Sequence, residues 1–211
     1  MSLPLPFSED YRDCLQEISN VAMGSAGESL ALLTGQFVQL SIPVIRCIPV
    51  ESVTEAMASL QGYDRVAGMA ESFSVGALEG AALLMITESS FQDLSEFVGQ
   101  NVTDEKVAVA LLKKLSHHVG VTCLERFAEQ LQEPLTLQPE IVAAMLIELQ
   151  EFSLQKLDLP AFQKLDGEAV GSMISIEINF HLENHPFNCD LLLLIPDSSV
   201  ANLVEHLEPF M

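Results

Sequence analysis

The sequence predicts an α+β domain in which a β-sheet carries two long helices on one face, with short helices beside them. Three observations predict it. Helical periodicity runs over about Ser8–Leu33 and again over Thr103–Leu131. Short apolar strand candidates, punctuated by glycine and proline, follow each helix. The order long helix, strands, apolar strand, short helix then occurs twice in 211 residues.

Ser8 is placed to cap the first helix, with Glu9 and Asp10 at the positive end of its dipole. At about 100° per residue, Tyr11, Leu15, Ile18, Ala22, Ala26, Ser29 and Leu33 form a core-facing stripe, and Gly35 is the expected stop. Strands are expected at Val38–Ile42 and Val44–Val50, broken by Pro43 and Pro49, and a short helix at Thr54–Gln61. Val66–Phe73 and Ala81–Ile86 read as strands joined through a Gly76…Gly80 turn, followed by a helix at Ser90–Val98 that ends at Gly99.

In the second half, Thr103 is the expected cap of the long helix, with Asp104 and Glu105 behind it. Pro134 and Pro139 break the chain, and a helical stretch is expected from Pro139 to about Leu149. Ala169–Leu182 and Cys189–Ile195 read as a long β-hairpin, and Ser198–Leu207 as a closing helix.

The halves, about 8–99 and 103–208, can be laid over each other. Leu83-Leu84-Met85-Ile86-Thr87-Glu88-Ser89-Ser90 matches Leu192-Leu193-Leu194-Ile195-Pro196-Asp197-Ser198-Ser199. Glu17 aligns with Lys114 and Asn20 with His117. The offset grows from 97 residues at the helices to 109 at the strands, which a longer connection in the second half explains. No Gly/Ser- or Pro-rich linker separates the halves, so a single domain over 1–211 with internal pseudo-symmetry is expected.

Composition narrows the function. Thirty acidic residues against nine basic give a formal charge of −21. That field disfavours nucleic acid and anionic membranes as partners. It suits a basic partner, a bound cation, or simply a soluble protein of acidic composition. Met1–Phe7 lacks the basic start of a signal peptide, and the apolar runs Ala81–Ile86 and Leu191–Pro196 are far shorter than the roughly 20 residues of a membrane helix. A cytoplasmic location is expected. Cys14, Cys47, Cys123 and Cys189 are scattered without a CxxC pair, which points to free thiols.

On the first long helix, Asp13, Glu17, Asn20 and Gly24 fall within about 40° of one another, opposite the apolar stripe. An acidic and amide stripe is ordinarily a solvated face. Asparagine in mid-helix beside glycine is nevertheless a local cost in helix propensity, and the spacing Asp13-x3-Glu17-x2-Asn20-x22-Pro43 is distinctive.

That spacing, within Leu15-Gln16-Glu17-Ile18-Ser19-Asn20-Val21-Ala22-Met23-Gly24-Ser25-Ala26, resembles the CheC/CheX/FliY family of chemotaxis phosphatases. The family motif is an Asp or Ser, then Glu, Asn and a distant Pro at these intervals. The resemblance implies a pseudo-symmetric CheC-like fold and hydrolysis of the aspartyl phosphate on a CheY-like response regulator. It gives Glu17 the role of engaging the regulator's lysine and Asn20 that of orienting water. Asp13 and Gly24 share the partner-binding face. No cofactor of the protein's own is implied, because the regulator brings Mg²⁺. The residue types suit this chemistry, since an amide can donate to and accept from a water without titrating.

The second half departs from the motif: Ala110, Lys114 and His117 stand at the matching positions, and Pro139 is off by one. One active face is therefore expected. His117-His118 point about 100° apart on a helix, and His181 and His185 lie in a strand or its turn, so no metal site is expected. Gly-rich phosphate loops, GxSxG and HExxH are missing, and Val75-Gly76-Ala77-Leu78-Glu79-Gly80 reads as a turn. The alternatives are a non-catalytic adaptor that binds a receiver or a CheD-like protein, a flagellar-switch component, and a homodimer that buries the degenerate face.

Overall fold

The computed structural model describes residues 2–63, 65–163 and 171–211. The first long helix, α1, spans Glu9–Thr34. Ser8 sits at its N-cap in extended backbone, but its side chain makes no capping hydrogen bond, contrary to expectation. Glu9 and Asp10 are left to favour the dipole. The helix stops at Gly35, whose φ of 67° only glycine adopts without cost, and whose N–H donates to Ala31 O at 2.8 Å. Leu15, Ile18, Ala22, Met23, Ala26 and Leu30 are buried beneath it. Two polar residues on that side, Ser19 and Thr34, are satisfied by donating to the carbonyls of Leu15 and Leu30.

The strands are β1 (Val38–Leu40), β2 (Val44–Pro49), β3 (Val66–Val75), β4 (Leu78–Thr87), β5 (Leu135–Leu137), β6 (Ile141–Ile147), β7 (Ser172–Leu182) and β8 (Asn188–Pro196). They form an antiparallel sheet in the order β1-β7-β8-β4-β3-β5, with β2 also on β7 and β6 also on β3. A two-residue turn, Gly76-Ala77, joins β3 to β4, and Gly76 has the positive φ (56°) such turns demand. The expected strand start at Ala169 lies outside the described residues; the observed strand begins at Ser172.

The halves exchange strands. β1 and β2 of the first half extend the second half's hairpin, and β5 and β6 of the second extend the first. Leu83 pairs with Leu192 at the centre, and these are the residues that a shift of 109 superposes. Val38 opposite Leu182 has its counterpart in Leu135 opposite Val75, a shift of 97 for the short strand. Three insertions account for the growth of 12. β6 carries two extra residues where its register slips, the β6–β7 connection (148–171) is eight longer than the β2–β3 connection (50–65), and the second hairpin turn is two longer.

β6 overturns the expected helix at Pro139–Leu149. Its two register shifts against β3 break the period-two burial that identifies a strand, and Leu146 adopts φ 53° at one of them. The expected helix at Thr54–Gln61 is instead two 3₁₀ segments, Val50–Ala56 and Ala58–Leu60, and the three-residue β5 was not foreseen.

Helix α2 spans Glu88–Phe97, with Thr87 Oγ1 accepting from Ser90 N as its cap. Helix α3 spans Glu105–Leu131 and has Asp104, not Thr103, as its N-cap, accepting from Val107 N at 3.1 Å. A π turn at His117–Val121 interrupts it. Helix α4 spans Val200–Leu207. By length and composition α3 reaches what a membrane span requires, but Leu111, Leu112, Leu115, Val119, Leu124 and Phe127 are packed into the protein core. The 3₁₀ segments cover the opposite face of the sheet, where Val53, Met57, Leu60, Phe152 and Leu154 form a second core.

Candidate functional site

The side of α1 turned away from the sheet presents the predicted stripe. Asp13, Glu17 and Gly24 are exposed and Asn20 is half-buried. The side chains of Glu17 and Asn20 hold no hydrogen bond or ion pair among the described residues. Both are thus available to a partner. Asp13 differs: Arg12 Nη2 holds its Oδ1 at 2.8 Å, and Nη1 lies 3.7 Å from Glu9. An exposed pair of this kind is worth little in stability, but it fixes the carboxylate's direction.

Pro43 lies at the loop between β1 and β2, beside the stripe. Gln16 Nε2 donates to its carbonyl at 2.9 Å, tying that loop to α1 one residue before Glu17. On the other flank, Asp10, Cys14, Glu17 and Gln130 border a shallow groove of about 630 Å³ with Phe210 and Met211. Neither the Gln16 tie nor the groove has a local sequence signal, because each joins residues far apart in the chain.

Gly24 is open: a Cβ built there meets nothing within 4 Å. Gly24→Ala is expected to raise stability by roughly 0.5–1 kcal/mol through helix propensity. The thermal midpoint should rise by about 1–4 °C for a chain this size. An unchanged or lower midpoint in calorimetry contradicts this.

The matching face of α3 is built otherwise. Ala110, Lys114 and His117 are exposed at the positions of Asp13, Glu17 and Asn20. Lys113 and Glu140 replace Gln16 and Pro43, and pair at 3.4 Å. His118 turns inward, its Nδ1 2.9 Å from Ser29 Oγ of α1. Burial, with His117 and Lys114 nearby, lowers its pKa.

Beneath Glu140, Glu71 of β3 shares the helix-facing side with Met69 and Phe73 and is 8% exposed. Burial, and secondly Glu140, raise its pKa from the ordinary 4.5 to about 7. In this window the native state keeps a proton that the unfolded chain has lost, so stability falls as pH rises from 4.5 through 7. Burial pushes Asp190, Glu177 and Asp93 in the same direction. The urea midpoint is expected to be higher at pH 5.5 than at pH 8, and Glu71→Gln should flatten the difference. Equal slopes for both proteins contradict this.

The buried thiols are poor nucleophiles. Cys47, Cys123 and Cys189 are buried, and burial raises the Cys123 thiol to about 12 and Cys189 well above its ordinary value. Among the described residues no three His, Cys, Asp or Glu side chains come together as a metal site.

This architecture has solved counterparts. FliY from Thermotoga maritima superposes with a TM-score of 0.71 at 15% identity, covering 98% of this chain and 100% of that one. The FliM middle domain from H. pylori gives 0.62 at 12% identity, covering 95% and 99%. CheX from Desulfovibrio desulfuricans gives 0.53 at 10% identity, covering 85% and 99%. The fold is that of the CheC/CheX/FliY family. No protein-family model matches the chain, and no curated protein matches it in sequence. FliM from H. pylori has also been solved in complexes with FliG and with SpeE.

Proposed function

We propose that this protein is a cytoplasmic, single-site phosphatase of a phosphorylated CheY-like response regulator. The observation that carries the reading is the exposed face of α1, where Glu17 and Asn20 stand a turn apart, unpaired, beside the anchored Pro43 loop. An aspartyl phosphate is already labile, and Mg²⁺ sits on the regulator, so a positioned water is the missing component. Glu17 pairs with the regulator's lysine and fixes the docking geometry. Asn20 enters the phosphorylation site and holds the water in line, lowering the barrier through orientation. No step calls for a metal or cofactor of the protein's own.

The test is release of phosphate from a panel of phosphorylated receivers, with wild type beside Asn20→Ala. Acceleration over spontaneous decay that disappears in the variant supports the reading. Spontaneous rates throughout, with every receiver, refute it.

A second reading is a non-catalytic module that docks a receiver or a CheD-like protein, or serves in a flagellar switch. The loss of Glu and Asn on the α3 face, together with the likeness to FliY and FliM, favours it. Phosphorylation-dependent pull-down without turnover distinguishes this reading from the first.

A further inference from the structure

We propose that the exposed face of α3, ahead of its π turn, docks an acidic segment of a second protein. The chain carries 30 acidic residues in 211, yet none between Lys106 and Leu124. Within that stretch Lys106, Lys113, Lys114 and His117 are exposed. At about 100° per residue they share an arc of about 100°, with Ala110 in its middle. Three of the chain's nine lysines and arginines therefore lie within nine residues, on one side of one helix.

The internal symmetry makes the reversal plain. A shift of 97 residues carries Glu9 to Lys106 and Glu17 to Lys114, so two acids on α1 become two cations on α3. Plain solvation does not call for opposite signs at matching positions of two equally exposed helices.

The groups facing the stripe leave it positive. Glu140 neutralises Lys113 at 3.4 Å, and Asp104 and Glu105 lie at the helix start. Lys106 and Lys114 hold no ion pair among the described residues. His118 is turned away toward Ser29. The first turn of the helix adds its own positive potential at Lys106.

Charge complementarity selects the occupant. Elsewhere the net charge of −21 repels an acidic protein, so the stripe is where one can approach. From Lys106 to His117 the stripe is about 16 Å long, three helical turns. That length suits a short helix or loop bearing carboxylates at matching spacing. A nucleic acid would run past it onto acidic surface. The inference does not depend on the reading of α1.

The test is fluorescence anisotropy on the full chain. The probe is a labelled helical peptide with Glu at i, i+4, i+7 and i+11, compared with a twin that has Gln there. The Glu peptide should bind at least about tenfold more tightly at 50 mM salt, and lose most of that preference by 300 mM. The preference should fall in Lys106→Gln/Lys114→Gln, vanish in Lys106→Glu/Lys114→Glu, and persist in Asn20→Ala. Equal affinity for the twins overturns the proposal, as does a preference indifferent to the lysine substitutions. Tighter binding of a single-stranded oligonucleotide overturns the choice of a protein partner.

Discussion

Asn20→Ala is expected to slow receiver dephosphorylation by about a hundredfold, the scale set by losing the orientation of a reacting water. In the proposed mechanism, methyl for amide would remove both the donor and the acceptor that hold the water and leave Glu17 to pair with the partner. The loss should therefore fall on kcat, with KM little changed. Glu17→Ala should do the reverse, raising KM with a smaller effect on kcat. Asn20 makes no hydrogen bond among the described residues, so folding gives no competing explanation. A thermal midpoint no lower than the wild type's checks that point, alanine being the better helix former. A variant with the wild-type rate would remove Asn20 from the reaction.

Gly68→Ala is expected to destabilise the fold by about 3 kcal/mol or more, at the severe end of overpacking effects. The glycine lies in β3 opposite Met85 of β4, next to the register shift against β6. A Cβ at this position would lie 2.1 Å from the Leu84 carbonyl oxygen and 2.4 Å from Met85 Sδ. The thioether could turn aside, although Met85 is fully buried. The carbonyl cannot, because it faces β3 within the β3–β4 ladder, where Leu84 stands opposite Met69. Total stabilities of domains are about 5–15 kcal/mol, so a large share would go. Urea unfolding measures this, and a midpoint near the wild-type value would show that the backbone yields more readily than the sheet suggests. Gly24→Ala, the same substitution in open space, is the natural control.

Sequence periodicity was a good guide where one face meets water and the other meets the core. α1 begins and ends within a residue of expectation, and Gly35 stops it as its conformation requires. The long apolar strands were equally clear. β6 was not, because two bulges scramble the alternation that marks a strand, and its Ala-Ala-Met-Leu run suits a helix locally. β5 is too short to show any period.

The candidate site divides in the same way. The stripe of Asp13, Glu17, Asn20 and Gly24 is local to one helix, so its geometry follows from the pitch. The parts that need two distant segments were invisible: the Gln16 bond to Pro43, the groove closed by Phe210 and Met211, and Glu71 under Glu140. The π turn in α3 leaves no mark in the hydrophobic spacing that the rest of the helix follows.

The strand exchange between halves bears on how the chain folds. Val38 finds Leu182 across 143 intervening positions of sequence, and Leu137 must reach back to Phe73. Closing such loops before any pairing energy returns makes for slow folding at high contact order. The local hairpins β3–β4 and β7–β8 can form early, but each then waits for strands synthesised with the other. During that interval both hairpins present a bare edge, and a neighbouring molecule's β1–β2 or β5–β6 segment fits it as well as the chain's own. Crowded refolding should thus trap intertwined dimers, whereas dilution favours the monomeric closure.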